Sequence, residues 1–236
     1  MKKIIILSTD TDHHRYFINK LILRGIFIEA LFLEIESIVP HFKVGPLYEV
    51  KEKKFEKENF FISIPNKISK IKISSFKDIN MNDSFEAISE INPDFGLVFG
   101  TRKLNPKIIE LFKDGLINVH RGLAQFYRGL DSDLWAIYHR DYEKIGVTIH
   151  KVEDRLDTGN IILQKNLPLK KGMKTYQLRY YSTKIATDLV YDSLVKYLKG
   201  NLNDSKQKKI GRYYSFMPIE LKKIVNKRFN NYCRNL

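Results

Sequence analysis

Short apolar runs alternate with amphipathic segments along the first half of the chain, a pattern typical of α/β folds. Runs of this length predict strands that are covered on both faces of a parallel sheet. Such strands are expected at residues 3–7, 26–35, 94–100 and 116–120. Apolar positions at helical spacing predict helices at 13–25, 82–91, 131–141 and 174–200.

Three of these helices carry start or stop signals. Gly25 is expected to end the first helix, and Gly200 is expected to end the helix at 174–200. Asp83 or Ser84 is expected to cap the helix at 82–91, which should end before Pro93. The sequence KEKKFEKENFF within residues 36–66 predicts an exposed helix or a mobile loop, with a solvated helix favoured.

The pattern changes after residue 144. Residues 145–169 predict two strands that are joined by an acidic loop, and the tail at 201–236 is basic and aromatic. The tail contains GRYYSFMP and then a predicted helix. We therefore expect an α/β domain at 1–200, with a mainly parallel sheet flanked by helices, and a C-terminal extension at 201–236.

The composition narrows the class of protein. A chain of 236 residues with 43% hydrophobic residues suits one large domain, or one domain with a small appendage. No apolar run reaches the ~20 residues of a membrane span, and the run after Met1 is shorter than the ~7 residues of a secretory signal. We therefore expect a cytoplasmic protein. Cys233 is the single cysteine, which excludes an internal disulfide bond and a cysteine-based metal site.

The formal charge of +14 and the pI of about 9.6 favour a polyanionic partner. Most of the basic residues are lysines that accompany many Ile, Asn and Phe residues, so a compositional bias explains the charge as well. A non-enzymatic α/β module that binds nucleic acid through the tail at 206–236 stays open as an alternative.

Candidate chemistry is concentrated in the stretch INVHRGLAQFYRG at 117–129. Asn118 and His120 are two residues apart on a predicted strand, so their side chains point to the same face where the strand ends. An Asn amide can stabilise an oxyanion, and a His can move a proton near neutral pH. Asp157 in the DTG loop can orient the His or accept a proton. The chain lacks a G-x-S-x-G elbow, so these residues fit direct acyl transfer better than a covalent acyl-enzyme.

Three blocks carry a family resemblance: NVHRGLAQFYRG, then LWAI, then GVTIHKVEDRLDTGNII. In this order they resemble the N10-formyltetrahydrofolate-dependent formyltransferases, over roughly residues 90–200. The resemblance implies a Rossmann-like domain and N10-formyltetrahydrofolate as co-substrate. No metal is expected, because His139 and His150 have no recognised metal-ligand spacing to His120. It places the catalytic roles on Asn118, His120 and Asp157.

The motif details look like the branch that acts on nucleotide-linked amino sugars. Arg121, Gly122 and Leu123 stand where the tRNA and purine enzymes have Pro-Ser-Leu, and FGTRKL and GRYYSFMP also look like the sugar branch. The implied acceptor is a dTDP-linked 4-amino-4,6-dideoxyhexose, for synthesis of a surface polysaccharide such as O-antigen. The 3-amino isomer, methionyl-tRNA and glycinamide ribonucleotide remain open as acceptors.

The resemblance also implies binding residues. Folate binding falls on Phe99, Gly100, Thr101, Arg102, Leu104, Val152 and Asp154. Acceptor contacts are expected at Tyr127, Arg128, Gly129 and Trp135, at His14 and Arg15 in a helix start that suits a phosphate, and at Tyr213 in the tail. For Phe99 and Trp135, a place in the hydrophobic core is the alternative interpretation. For Arg102, the alternative is a surface charge. We expect a homodimer, with no membrane partner and with nucleic acid disfavoured.

Overall fold

A computed structural model of the chain describes residues 1–61 and 66–236. The strands within these ranges are β1 (Ile4–Ser8), β2 (Ala30–Glu34), β3 (Lys72–Phe76), β4 (Phe95–Phe99), β5 (Leu116–His120), β6 (Tyr127–Gly129), β7 (Gly146–Lys151), β8 (Ile161–Asn166) and β9 (Arg212–Tyr214). The α-helices are α1 (Asp12–Leu23), α2 (Glu49–Phe60), α3 (Asn82–Ile91), α4 (Pro106–Ile109), α5 (Ser132–Tyr138), α6 (Leu178–Leu198) and α7 (Ile219–Arg234).

The central sheet is mixed but mainly parallel, as predicted. Its strand order is β3-β2-β1-β4-β5-β7-β8, in which β1 to β5 run parallel and β7 and β8 are antiparallel to their neighbours. The chain moves outward from β1 to β3 and then returns to place β4 on the other side of β1. A crevice opens beyond the carboxyl ends of parallel strands at such a point, and ligands of α/β folds bind there.

Both faces of the central sheet are covered. On one face, Phe17 of α1 and Val190 of α6 pack against Ile6 and Leu97. On the other face, α3 and α4 cover a second layer that includes Ile5. This double coverage explains why β1, β4 and β5 read as apolar runs without alternation. It also holds the carboxyl end of β5 rigid, because each large side chain buried in this way contributes ~1.5–3 kcal/mol.

Several predicted boundaries are wrong. β2 begins at Ala30, not at residue 26, because the pairing with β1 starts with Ala30 opposite Ile5. Neither Asp83 nor Ser84 caps α3: the helix starts at Asn82, and the Ser84 hydroxyl donates to the carbonyls of Ile79 and Met81.

The charged stretch KEKKFEKENFF forms most of α2, so the predicted helix exists, although its last residue lies beyond the helix end. It is not simply solvated, because Glu52, Glu56 and Phe60 are buried. Part of the predicted segment at 36–66 lies outside the described residues.

The C-terminal segment packs onto the rest of the chain. β9 pairs in parallel with β6, which forms the end of the motif stretch, and α7 packs against α5. Val225, Phe229 and Cys233 of α7 are fully buried in a further apolar cluster. The predicted division at residue 200 and the homodimer stay predictions. Among the described residues, no helix combines the length and apolar character that a membrane span needs.

Candidate active site

The carboxyl end of β5 brings two polar side chains together with a third from β7. Asn118 and His120 share one face of β5, as their spacing predicts, and the antiparallel register of β7 sets His150 opposite Asn118. The Asn118 Nδ2 lies 3.2 Å from the His150 Nε2. His150 was not predicted as a site residue.

Asp157 lies between the two imidazoles. Its Oδ2 is 3.4 Å from the His120 Nδ1, and its Oδ1 is 3.3 Å from the His150 Nε2. The Gly129 N–H donates to the Asp157 Oδ2 at 2.7 Å. Burial by itself raises the pKa of the Asp157 carboxyl. His120, His150 and the Gly129 N–H lower this pKa by more than burial raises it, so the pKa lies well below its usual range. Asp157 is therefore a buried carboxylate.

Backbone carbonyls set the protons on both imidazoles. The His120 Nε2 lies 2.8 Å from the Tyr127 carbonyl oxygen, and the His150 Nδ1 lies 2.8 Å from that of Lys151. A carbonyl oxygen only accepts, so each of these nitrogens carries a hydrogen. The nitrogen that faces Asp157 is then either a bare acceptor or the second N–H of an imidazolium.

The strand β6 positions this cluster from the opposite side. The Tyr127 carbonyl accepts from His120, and the Gly129 N–H donates to Asp157. Gly129 has a φ of +85°, and an added Cβ would overlap the carbonyl oxygen of Tyr214 in β9. Arg128 donates to the carbonyls of Leu156 and Gly211. The Arg128 guanidinium thus binds backbone carbonyls, and its expected contact with the acceptor stays a prediction.

The residues predicted to bind folate lie along one edge of the crevice, after β4 and after β7. Gly100 has a φ of +91°, and Lys103 pairs with Asp154 at 3.1 Å, which joins the two loops. Leu104 is buried, with Val152 packed against the same cluster. Phe99 is 3% exposed, so its ring is part of the core.

Thr101 and Arg102 complete the predicted folate set. The Thr101 hydroxyl donates to the Arg102 carbonyl at 3.1 Å. Arg102 is not a surface charge, because its guanidinium forms ion pairs with Glu34 at 3.1 Å and with Asp78.

At the start of α1, the predicted acceptor-binding residues His14 and Arg15 lie in different environments. His14 is buried, its Nδ1 bonds the Thr11 hydroxyl at 2.7 Å, and its Nε2, next to Gly100, lacks a partner among the described residues. Burial, with Arg179 and Arg121 nearby, lowers the pKa of His14 to about 3, so the ring is neutral. Arg15 instead pairs with Asp10 at the surface.

The aromatic residues that were predicted to contact the acceptor pack around β6. The Tyr127 hydroxyl donates to Asp141, and its ring stacks on Tyr214. Trp135 stacks on the other side of Tyr214, with 4.8 Å between ring centroids, and donates to the Ser215 carbonyl. Tyr213 is half exposed on β9. These rings build the support under β6.

A buried charge network beside the crevice was not predicted. Arg179 of α6 binds Glu56 through two hydrogen bonds of 2.7 and 2.8 Å, and reaches Glu52 at 2.8 Å. Arg121, which follows His120, pairs with Asp133 of α5. Burial raises the pKa of Glu52 to about 7, although Arg179 and Arg121 oppose this shift. The network fixes α2 over the first part of α6.

Within residues 1–61 and 66–236, no group of three His, Cys, Asp or Glu side chains is arranged to bind a metal ion. The cluster of Asn118, His120, His150 and Asp157 instead fits proton transfer beside a neutral amide donor. The contacts of 3.3–3.4 Å to Asp157 are longer than ordinary hydrogen bonds, as in many catalytic sites without substrate.

Residues 52–188 match the sequence model of the family described as formyl transferase. A methionyl-tRNA formyltransferase from Borrelia garinii subsp. bavariensis is 31% identical over 141 residues, which span 59% of this chain and 44% of that protein. The chain therefore spans less than half the length of this curated relative.

Two solved structures are similar in fold. A 4-N formyltransferase from Francisella tularensis has a TM-score of 0.63 and 19% identity, over 90% of this chain and 76% of that one. A formyltransferase from Anoxybacillus kamchatkensis, solved in complex with UDP-4,6-dideoxy-4-formamido-L-AltNAc and tetrahydrofolate, has a TM-score of 0.56 and 21% identity, over 90% and 85% of the two chains.

Proposed function

Since the chain belongs to the formyl transferase family, we propose that it transfers a formyl group from N10-formyltetrahydrofolate to the amine of a nucleotide-linked amino-deoxysugar. The observation that carries the proposal is the buried Asp157 carboxylate, held 3.3–3.4 Å from His120 and His150 and next to Asn118. A carboxylate beside two imidazoles and an amide donor provides the proton acceptor and the oxyanion partner that formyl transfer needs.

The proposed reaction begins when the neutral amine attacks the formyl carbon. The new C–N bond forms, and the Asn118 amide stabilises the oxyanion of the tetrahedral intermediate. His120 joins it as a cation when the substrate replaces its long contact to Asp157. Asp157 accepts the proton that the amine releases, directly or through a water. The bond to N10 of the folate then breaks, and N10 takes up a proton from the same cluster.

The folate is proposed to lie along the edge formed by Gly100, Thr101, Leu104 and Val152, with exposed Asp154 at its rim. Glycine is required at position 100, because its φ is positive and an added Cβ would overlap the ring of His14. The fold's likeness to a protein solved with tetrahydrofolate supports this placement.

Three features support a sugar acceptor. The motif contains Arg121-Gly122-Leu123 and continues to YRG, as the sugar branch does. GRYYSFMP, which resembles the same branch, provides β9 and pairs directly with β6. The two structurally similar proteins are a 4-N formyltransferase and one solved with a UDP-linked formamido sugar. We propose a dTDP-linked 4-amino-4,6-dideoxyhexose, in a pathway to a surface polysaccharide.

Methionyl-tRNA is the second candidate acceptor. A curated methionyl-tRNA formyltransferase shares 31% identity over 141 residues, which span 59% of this chain. The positive charge of +14 is compatible with an RNA acceptor. The reaction at Asp157 would be the same, and only the acceptor would differ.

A formyl-transfer assay tests the reaction and the acceptor together. The full chain is mixed with N10-formyltetrahydrofolate and either a panel of amino-sugar nucleotides or methionyl-tRNA, and products heavier by one formyl group are detected by mass spectrometry. Asp157→Asn should lower turnover by about 100-fold or more, because it removes the proton acceptor. Asp192→Asn removes the same charge from the exposed face of α6 and should leave turnover unchanged.

Product from a 4-amino sugar alone supports the proposal in full. Product from methionyl-tRNA alone retains the reaction and replaces the acceptor. No product from any acceptor, or full turnover in Asp157→Asn, contradicts the proposed chemistry.

A further inference from the structure

Large apolar side chains are exposed to solvent along one short part of the chain, between the carboxyl end of β2 and the first turn of α2. They are Ile35, Ile38, Val39, Phe42, Leu47 and Val50. Val39 is 79% exposed and Val50 is 71% exposed. Single exposed apolar residues are ordinary on a protein surface, but a cluster of this density marks an interaction surface.

Lysines continue this surface along the exposed side of α2. The exposed lysines of residues 35–58 are Lys43, Lys51, Lys53, Lys54 and Lys57. Within the part of the chain that the structure describes, Lys54 alone among them forms an ion pair, with Glu58 at 3.8 Å. Glu36 and Glu58 are the exposed glutamates of the same residues, so the lysines outnumber them. The surface at 35–58 is therefore both apolar and positively charged.

The backbone of this surface is held in place while its apolar side chains stay outside. The Arg102 guanidinium donates to the Glu36 carbonyl at 3.0 Å. The Ile219 N–H at the start of α7 donates to the Lys43 carbonyl at 2.9 Å. A surface that is already ordered in this way loses little conformational entropy when it binds a partner.

The combination of aliphatic side chains with lysines restricts the partner. Two copies of this chain would bring the same lysines together, and each copy carries a net charge of +14. Nucleic acid would attract the lysines, but its charged backbone offers no apolar interior for Ile38 and Val39. A membrane with anionic headgroups offers both, because lysines bind the headgroups while apolar side chains enter the interface. We propose that the surface at 35–58 docks on an anionic membrane.

This contact differs from a membrane span. No apolar run of the sequence is long enough for a span, so no membrane partner is expected from the sequence. A peripheral contact needs no such run, since a few apolar side chains at the interface act together with the lysines beside them. The surface begins at the carboxyl end of β2, the same edge of the sheet that carries the crevice. The proposed docking does not depend on the formyl-transfer reaction.

Cosedimentation with vesicles tests the docking. The full chain is mixed with vesicles of phosphatidylcholine alone, or of phosphatidylcholine and phosphatidylglycerol in equal parts. We expect the protein to sediment with the anionic vesicles and to bind the neutral ones at least about tenfold more weakly, because the lysines then have no anionic headgroups to bind.

Paired serine variants test the apolar side chains. Ile38→Ser with Val39→Ser should weaken binding to the anionic vesicles by about tenfold or more, because two aliphatic side chains no longer enter the interface. Phe27→Ser with Leu198→Ser removes two exposed apolar side chains outside residues 35–58 and should leave the affinity unchanged. All four side chains are exposed, so far-UV circular dichroism should match that of the wild type in both variants.

Paired glutamine variants test the lysines. Lys51→Gln with Lys57→Gln should weaken binding to the anionic vesicles by about tenfold or more. Lys196→Gln with Lys199→Gln removes the same charge from exposed positions near the end of α6. This control should bind like the wild type at physiological salt, where distant charges are screened.

Equal weakening in the two lysine variants would overturn the proposal, because general attraction by the net charge would then explain the binding. Full binding in Ile38→Ser with Val39→Ser would overturn it as well, since the apolar side chains would not enter the membrane. Absence of binding to the anionic vesicles would also overturn it. If sedimentation velocity then showed a dimer that Ile38→Ser with Val39→Ser disrupts, the surface would belong to a second copy of the chain.

Discussion

At the scale of single residues, the site depends on the three groups that contact the Asp157 carboxylate. His120, His150 and the Gly129 N–H all point at it, and burial prevents water from replacing them. Each of these groups belongs to a different strand, so the position of Asp157 depends on how β5, β6 and β7 are placed. Its partners should therefore act on turnover by positioning and through the Asp157 pKa.

His150 is predicted to be a positioning residue. His150→Ala removes one hydrogen-bond partner of Asp157 and the contact to Asn118, so turnover should fall by about 100-fold with little change in KM. The Asp157 pKa should rise, because a group that lowers it is lost. The acidic limb of the pH profile of kcat/KM should therefore move to higher pH.

His150→Gln supplies the control for a structural role. Its amide can still meet Asp157 and Asn118, so it should recover part of the turnover. An unshifted pH profile in His150→Ala would contradict the positioning role, even if turnover fell.

Gly129 is predicted to tolerate no side chain. In Gly129→Ala, the methyl group would overlap the backbone of Tyr214, and the φ of +85° would add strain, so β6 should move away from Asp157. Gly115→Ala is the matched control, since Gly115 has a φ of +89° with open space around it. The control should lose only ~1–2 kcal/mol from the left-handed backbone. Urea unfolding and turnover should both show a larger loss in Gly129→Ala, and equal losses would contradict the packing argument.

At the scale of secondary structure, the sequence pattern predicted the inner strands and the edge strand β8 but missed the edge strand β3. β1, β4 and β5 are covered on both faces, so their side chains do not alternate. β3 escaped prediction because it is an edge strand with the sequence KISSF, and most of its side chains are exposed or half-buried. β6 is three residues long and pairs with β9, more than eighty residues later, a distance that local patterns do not register.

The candidate site shows the same division. The shared face of Asn118 and His120 follows from the two-residue period of a strand and was predicted. His150 was missed because its place opposite Asn118 depends on β7 being antiparallel to β5, which is a property of the sheet order. The partners of Arg179 were missed for the same reason, since Glu56 lies more than a hundred residues earlier. Contacts between distant segments leave no periodic signal in the sequence.

The helix α2 is predicted to make stability depend on pH through Glu52. Burial raises the pKa of Glu52 from 4.5 to about 7 in the folded chain, against the attraction of Arg179 and Arg121. The folded state therefore binds a proton that the unfolded state has released. The resulting stability is fully present below about pH 4.5 and is lost as the pH rises through about 7.

Glu52→Gln removes this titration. The free energy of unfolding of the wild type, relative to Glu52→Gln, should decrease between about pH 5 and about pH 8, as measured by urea unfolding. Glu58→Gln, at an exposed position of the same helix, should show no such trend relative to the wild type. A difference between the wild type and Glu52→Gln that is constant over this range would contradict the raised pKa.

At the scale of the whole molecule, the C-terminal segment is part of the site's support. Gln207 donates to the carbonyls of Asp157 and Gly159 at 2.9 Å, and the Gly211 carbonyl accepts from Arg128. α7 then closes the apolar cluster behind α5 with Phe229. The loop that carries Asp157 is therefore held by residues that follow it by about fifty positions. We expect the tail and the sheet to unfold together.

Phe229→Ala tests this coupling. Its ring is fully buried, so its removal should cost ~3–5 kcal/mol, whereas Phe27→Ala at a 56% exposed ring should cost far less. Unfolding is followed by Trp135 fluorescence, which reports on the contact between α5 and β9, and by far-UV circular dichroism, which reports on all helices. Because α5, α7 and the motif strand share one cluster, both signals should shift to lower urea together in Phe229→Ala. If the fluorescence change instead preceded the main loss of helix, the tail would be unfolding as a separate unit, and its support of Asp157 would be local only.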